Sequence, residues 1–134
     1  MTIFKGMVLV CILGLAACAT TTTAELPRRY MVFFTYNSVE LSPVALDVIE
    51  QAARNATVLQ TAHIEISGYT GMEENARTRP GLAAQRYAAV ENALVARGID
   101  HAHLRRIALS DEFPLPAVAV RRIEIRFVEI IPQS

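Results

Sequence analysis

Stretches with the hydrophobic period of a strand alternate with stretches with the period of a helix along most of this 134-residue chain. Residues 30–36 (YMVFFTY) form a dense apolar and aromatic run, which is typical of a buried strand. Ser42 and Pro43 then have the residue types that begin a helix, an N-cap followed by a proline in the first turn. The alternation predicts a sheet with helices packed against it.

The predicted order of elements is strand, helix, strand, helix, strand, loop, strand. The first helix ends near Leu59, and its apolar positions recur at helical spacing. These positions are Val44, Val48, Ala52, Ala45, Ile49, Ala53 and Ala56. A strand is predicted at 63–69, a polar loop at 71–81, a helix at 82–96 with Gly98 as its exit, a strand at 104–109, a loop at 111–116 and a strand at 123–128. We therefore expect an α/β fold (an α+β sandwich), a mixed sheet of about four strands with two main helices on one face, in the order β-α-β-α-β-β.

The first seventeen residues have the layout of a secretory signal peptide. Lys5 supplies a positive charge, and residues 7–15 (MVLVCILGL) form an apolar run too short to span a membrane, which takes about 20 residues. The stretch from Leu15 to Cys18 (LAAC) resembles the bacterial lipobox. That resemblance implies cleavage before Cys18, a diacylglycerol on its thiol and a third acyl chain on the new amino group, with fatty acids such as palmitate. Because Ala19 follows instead of an Asp, it also implies the outer membrane, with the domain facing the periplasm.

The chain is accordingly divided into four parts. Residues 1–17 are the signal peptide, 18–28 the lipidated start and a Thr-rich tether, 29–129 the folded domain and 130–134 a tail. The tether (ATTTTAELP) shows no hydrophobic periodicity and reaches at most about 30 Å when extended. Two or more acyl chains would hold such a chain firmly on a bilayer.

Charge and motifs argue against several classes of function. The formal net charge is zero, whereas a nucleic-acid-binding face usually brings a basic surplus. His101 and His103 flank Ala102, but no third ligand stands at a fitting spacing, so we expect no metal site and no cofactor. Neither a nucleophile elbow nor a Gly-rich phosphate loop is present, so we expect no enzyme.

Five local motifs, in the same order along the chain, resemble the OmpA-like peptidoglycan-binding domain. The resemblance runs from residue 30 to residue 128, which is nearly all of the chain after the tether. The motifs are 34–41 (FTYNSVEL), 64–71 (IEISGYTG), 82–90 (LAAQRYAAV), 96–99 (ARGI) and 121–125 (RRIEI). The resemblance implies that the chain binds the peptidoglycan stem peptide non-covalently at its diaminopimelate residue.

That ligand ends in an ammonium and a carboxylate, so its pocket needs an acid and an Arg, the latter binding in two-point fashion. The resemblance puts the Arg at Arg86 and the acid fifteen residues earlier, after Thr70, where this chain has Gly71. Loss of one partner of a desolvated charge pair costs about 2–5 kcal/mol, so we expect weakened binding. Glu73 or Glu74 can supply a carboxylate instead, and Arg121 is expected to line the pocket.

Other interpretations stay open at this point. Arg79, Ala83 and Val120 also depart from the family's pattern. Arg86 can instead form an ion pair on the helix surface, with Glu91 or Glu73. The domain as a whole can be a degenerate OmpA-like module that has lost the diaminopimelate site and docks another envelope protein.

Overall fold

A computed structural model of the chain describes residues 26–69, 81–109 and 117–129. Its elements in chain order are β1 (Arg29–Phe33), α1 (Pro43–Val58), β2 (His63–Tyr69), α2 (Leu82–Val95), β3 (Leu104–Leu109), a four-residue helix α3 (Ala117–Val120) and β4 (Arg122–Val128), with a 3₁₀ turn (His101–His103) before β3. The predicted order of strands and main helices is confirmed. The leader, Cys18, the tail and the loops predicted at 71–81 and 111–116 lie outside the described residues, apart from Gly81.

The four strands form one mixed sheet in the order β1-β4-β2-β3. Strands β1 and β2 both run antiparallel to β4, and β3 runs parallel to β2. Three strands, β1, β2 and β3, therefore point in the same direction. Their carboxyl ends meet at one edge of the sheet, which we call the carboxyl edge, and the chain enters β1 at the opposite edge.

Helix α1 begins as the sequence predicts. The hydroxyl of Ser42 accepts the N–H of Ala45 at 3.2 Å, and Pro43 occupies the first turn. The buried face consists mainly of alanines, whose small side chains let the helix approach the sheet closely; it comprises Ala45, Ile49, Ala52, Ala53 and Ala56. The prediction that Val44 belongs to this face is wrong. Val44 is 72% exposed because it sits about 100° around the helix from Ala45, on the solvent side.

Helix α2 starts after Gly81, which has a left-handed conformation, and ends one residue earlier than predicted. Its exit at Gly98 is confirmed: Gly98 has φ +91°, and the N–H of Ile99 returns to the carbonyl of Leu94 at 3.2 Å. This is the hydrogen-bond pattern that ends many helices at a glycine, with the following apolar residue packed into the core.

Strands β2 and β3 have the predicted bounds, but β1 is shorter than predicted. The ladder bonds end at Phe34, whose N–H donates to the carbonyl of Arg121 at 2.9 Å, and the chain then enters a turn. Asn37 in that turn has φ +52°, a conformation that no strand accommodates. Strand β4 begins one residue earlier than expected, at Arg122.

Both main helices cover the same face of the sheet. The strand residues on that face are buried and apolar: Tyr30, Val32, Ile64, Ile66, Ile123, Ile125 and Phe127. The other face carries ion pairs between neighbouring strands, Arg29 with Glu124 and Arg126 with Glu65. Within the part of the chain that the structure describes, no helix has the length and hydropathy to cross a membrane.

Candidate ligand-binding site at the carboxyl edge of the sheet

Several connections meet at the carboxyl edge. The segment after β1 leads to α1, the end of β2 leads toward α2, and the short helix α3 leads into β4. Open α/β sheets commonly bind ligands beside the carboxyl ends of their strands, because the loops there can bring together side chains from several elements. The sequence-predicted site residues that the structure describes, Arg86 and Arg121, both lie near this edge.

A tight turn follows β1. The N–H of Ser38 donates to the carbonyl of Thr35 at 3.1 Å, and Asn37, at the third position of the turn, has φ +52°, in the left-handed region that Asn tolerates better than most residues. The hydroxyl of Ser38 accepts the N–H of Glu40 at 3.0 Å, which continues the hydrogen bonding beyond the turn. Tyr36, at the second position of the turn, is 59% exposed.

Arg86 joins α2 to this turn. Its Nε donates to the carbonyl of Ser38 at 2.9 Å and its Nη2 to the carbonyl of Thr35 at 3.2 Å. Its Cζ lies 5.3 Å from the centroid of the Phe34 ring. The residue is 4% exposed, and these carbonyl dipoles and the ring face compensate for the burial of a guanidinium. Arg86 is therefore a fixed part of the carboxyl edge and not a mobile surface side chain.

Glu91 is not the partner of Arg86. It accepts two hydrogen bonds from Arg106 of β3, at 2.7 Å from Nε and 2.6 Å from Nη2. The interpretation of Arg86 as one half of a pair with Glu91 is therefore wrong. Glu91 lies one turn beyond Tyr87, on the face that packs on the β3 side of the sheet, whereas Arg86 points toward β1.

Tyr87 connects α2 to β2 and β3. Its buried hydroxyl lies 2.8 Å from the carbonyl oxygen of Gly68 and 2.9 Å from that of Ile107. Burial raises the pKa of Tyr87 above its usual value. The guanidinium of Arg106 lies over the Tyr87 ring, with Cζ 5.6 Å from the centroid, and its contact with Glu91 raises the pKa of Arg106.

Gly68 lies where this network meets the end of β2. A Cβ atom at this position would lie 2.7 Å from Cδ1 of Ile123 and 3.3 Å from the hydroxyl oxygen of Tyr87. A larger residue would therefore force the buried Ile123 side chain to shift, so glycine favours the close packing of β2, β4 and α2. The residues that follow Tyr69, among them Thr70, Gly71, Glu73 and Glu74, lie outside the described residues, as does Cys18.

Arg121 lies in the turn before β4 and is partly buried. Its carbonyl accepts the N–H of Phe34, and its own N–H donates to the carbonyl of Val118 at 3.3 Å. The backbone of Arg121 therefore adjoins Phe34, the residue whose ring underlies the guanidinium of Arg86.

His101 and His103 lie at the opposite edge of the sheet, before β3. The described residues contain no group of three or more His, Cys, Asp or Glu that could hold a metal ion.

Sequence reasoning did not find the Tyr87, Glu91 and Arg106 network. One signal was available: Glu91 falls on the buried face of α2, where a carboxylate requires a partner. A second was the position of Arg106, two residues after Leu104 and thus on the same face of β3. That Arg106 is the partner of Glu91 depends on the strand order, which places β3 beside β2 and under α2.

Comparisons with known proteins agree with this architecture. The periplasmic domain of Helicobacter pylori MotB superposes with a TM-score of 0.58, at 24% identity over 73% of this chain and 70% of that chain. For the OmpA-like domain of FopA1 from Francisella tularensis, the TM-score is 0.59, at 15% identity over 76% of this chain and 75% of that one. For the peptidoglycan-associated lipoprotein from Burkholderia pseudomallei, it is 0.59, at 22% identity over 74% of this chain and 90% of that one.

A curated relative, an outer membrane protein from Gluconacetobacter diazotrophicus, is 35% identical over 60 residues, which are 45% of this chain but 15% of that protein. The model of the OmpA family matches residues 33–117 and thus more than half of the chain, from the end of β1 to the start of α3. This family is not an enzyme family, in agreement with the prediction of a non-catalytic domain. The chain belongs to the OmpA family.

Proposed function

We propose that the domain binds peptidoglycan non-covalently at its carboxyl edge, through the stem peptide. The observation that carries the proposal is Arg86, a cation fixed at the carboxyl edge at the position where the family's pattern has its carboxylate-binding Arg. Its Nε and Nη2 hydrogen bonds to the turn already fix the conformation of the Arg86 side chain. Ligand binding would therefore carry little entropic cost for ordering this side chain.

The ligand chemistry follows from the diaminopimelate side chain, which ends in a carboxylate and an ammonium. We assign the carboxylate to Arg86, with Arg121 beside it, and the ammonium to Glu73 or Glu74, with Thr70 as a further hydrogen-bonding group. Gly71 stands in the place of the family's acid. We therefore propose that binding is weaker than in a domain that has an acid at this position.

We further propose that the chain is a lipoprotein, held in the outer membrane by acyl chains on Cys18. The chain enters β1 at Arg29, and the site lies at the opposite edge of the sheet. This arrangement favours a domain whose site points away from the membrane. Replacement of Cys18 by Ser is expected to abolish incorporation of radioactive palmitate and to release the chain from the membrane fraction. Unchanged labelling would contradict the anchor.

Substitutions at positions 71 and 86 test the peptidoglycan proposal. With the full chain purified in detergent, Gly71→Asp is expected to raise affinity for isolated sacculi by roughly 30-fold or more, since a restored charge pair contributes about 2–5 kcal/mol. Gly71→Asn is the matched control, because it adds a side chain of the same size without the charge. Arg86→Ala is expected to lose retention on the sacculi, and equal retention of Arg86→Ala and the wild-type protein would overturn the proposal.

A second candidate function is a protein-docking module of the cell envelope that no longer binds peptidoglycan. One observation that favours it is Gly71, which stands in the place of the family's acid. A second is that Arg86 stabilises the Thr35–Ser38 turn and so has a structural role without any ligand. Absence of sacculus binding by the wild type, with no gain in Gly71→Asp or Gly71→Asn, would support this second function.

A further inference from the structure

Strand β3 is the outermost strand on its side of the sheet, and no described strand pairs with its outer edge. Its parallel ladder with β2 runs without a bulge from the pair Ile64–Leu104 to the pair Tyr69–Leu109. Residues 104–109 contain neither proline nor glycine. An outermost strand of this kind presents a row of backbone N–H and C=O groups that can pair with another strand.

The charged side chains of β3 give its outer edge little protection. Natural proteins often protect such an edge with charges that oppose pairing. The guanidinium of Arg106, however, is directed toward α2, where it binds Glu91. Arg105 is exposed and is the other charged residue of the strand. On the face of the sheet that the helices do not cover, Arg105 is followed by Ile107, a large apolar residue that is 38% exposed.

The outermost strand on the other side, β1, is less suited to pairing with a further strand. Pro27, which has no N–H, stands two residues before it, and the side chain of Arg29 at its start is 59% exposed. Helix α1 packs along β1, whereas β3 reaches the helical layer mainly through Leu104 and Arg106. Strand β3 is therefore the less covered of the two.

We propose that β3 pairs antiparallel with β3 of a second copy of this chain, which joins two four-stranded sheets into one sheet of eight strands. A two-fold axis perpendicular to the sheet relates the two copies and leaves each face of the sheet on its own side. Residues directly opposite each other in an antiparallel pair point to the same face. Because side chains alternate along β3, the axis passes beside a residue and not between two residues. This inference does not rest on the proposed function.

Charge decides which residue of β3 lies beside the axis. Two choices use nearly the whole strand: Arg106, which pairs residues 104–108, and Ile107, which pairs residues 105–109. With Arg106 beside the axis, two arginines would lie directly opposite each other, and like charges in such a pair are destabilising. Ile107 is therefore the residue beside the axis.

This register opposes no like charges. Ile107 packs on Ile107 of the second copy, so that its exposed part becomes buried. Arg105 lies opposite Leu109 of the second copy, and Arg106 lies opposite Ala108. One short strand makes a small contact compared with the about 1,200–2,000 Å² of stable interfaces, so we expect a weak, reversible dimer.

Single cysteines along β3 test both the pairing and its register. In the full chain purified in detergent, Cys11 and Cys18 are replaced by serine, so that the introduced thiol is the only one. Under oxidation by copper phenanthroline, Ile107→Cys is expected to form disulfide-linked dimers roughly 10-fold faster than a control cysteine, because directly opposed Cα atoms lie about 4.5–5.5 Å apart, within reach of a disulfide. Arg105→Cys is expected to link poorly, since its copy would lie about 14 Å away.

Two further variants complete the test. Val58→Cys is the control for chance collision, because it replaces an exposed apolar residue of α1, far from β3 in the sequence. Ile107→Lys places like charges directly opposite each other and is expected to abolish pairing. Hydrogen exchange measures this without any cysteine: protection of the β3 amides is expected to rise with protein concentration in the wild type and to stay constant in Ile107→Lys. The urea midpoint of Ile107→Lys checks that the variant is folded, and if it is not, the cysteine variants decide alone.

Three results would overturn the inference. The first is equal rates of dimer formation by Ile107→Cys and Val58→Cys. The second is faster linking by Arg105→Cys or Arg106→Cys than by Ile107→Cys, which would show a register that the charges oppose. The third is protection of the wild-type β3 amides that does not change with protein concentration.

Discussion

Arg86 is a charged side chain in the interior of the domain, and its surroundings explain how it can remain there. Two backbone carbonyls accept from its guanidinium and the Phe34 ring lies beneath it. Each of these contacts comes from the segment after β1, some fifty residues earlier in the chain. The guanidinium of Arg86 thus stabilises the turn. In our proposal, the same guanidinium also binds the carboxylate of the ligand.

At Tyr87, removal of one oxygen atom tests how firmly α2 is attached to the sheet. We expect Tyr87→Phe to lower the free energy of unfolding by about 1–2 kcal/mol at pH 7, because the carbonyls of Gly68 and Ile107 lose a buried donor. Urea unfolding measures this change, and an unchanged midpoint would contradict the assigned role.

The raised pKa of Tyr87 adds a pH dependence with a definite sign. Its hydroxyl is protonated in both states below the usual tyrosine pKa of about 10, so its contribution is fully present there. Above that pH the unfolded chain loses the proton before the folded chain does, and stability falls as pH rises. We expect the loss of stability between pH 9 and pH 11 to be smaller in Tyr87→Phe than in the wild type.

Gly68 offers a second test at the scale of one residue. We expect Gly68→Ala to destabilise the domain by about 1–3 kcal/mol, since its Cβ would lie 2.7 Å from Cδ1 of Ile123. Ile123→Val removes that carbon atom, so the double variant is expected to recover part of the loss relative to the sum of the two single variants. Strict additivity in urea unfolding would show that this contact does not explain the glycine.

At the scale of elements, β3, the outermost strand on its side of the sheet, contacts both β2 and α2. It forms a parallel ladder with β2, and Arg106 reaches across to Glu91 and over the ring of Tyr87 on α2. Four of its six residues are exposed, so burial alone gives this strand little support. The contact between Arg106 and Glu91 therefore serves to attach β3 to the helical layer.

We expect Arg106→Ala to cost about 1–3 kcal/mol, because it leaves the Glu91 carboxylate, 7% exposed, without its partner. The estimate is below that for a fully buried pair because the Arg106 side chain is 48% exposed. Arg54→Ala is the control, since it breaks an exposed i,i+4 pair with Glu50 that is worth about 0.3–0.5 kcal/mol. Hydrogen exchange of the β3 amides is expected to accelerate in Arg106→Ala alone. Equal protection of β3 in both variants would contradict this role.

At the scale of the whole molecule, local sequence patterns were sufficient to predict the helices and strands but not the side-chain contacts of the site. The caps at Ser42 and Gly98 and the alternation in β2 and β4 depend on neighbouring residues, and the structure has them where the sequence predicts them. The end of β1 was missed because the apolar run continues through Tyr36 while the backbone already turns at Asn37. Partners such as Arg86 with Ser38, or Glu91 with Arg106, depend on strand order, which no local pattern contains.

The arrangement of the whole domain links its two proposed attachments. Because β1, β2 and β3 run in one direction, the chain enters at one edge of the sheet while Arg86 and the Tyr36 turn lie at the other. A lipid anchor before β1 and a wall-binding site after it would then pull on opposite edges. This geometry supports a role in which the domain connects a membrane to a polymer.

Co-sedimentation of the full chain with isolated sacculi, with and without free diaminopimelate-containing stem peptide as competitor, tests the central claim most directly. We predict saturable binding that the free peptide displaces and that a stem peptide with lysine in place of diaminopimelate displaces less well. The absence of saturable binding, or binding that neither peptide displaces, would contradict the claim that the carboxyl edge recognises the stem peptide.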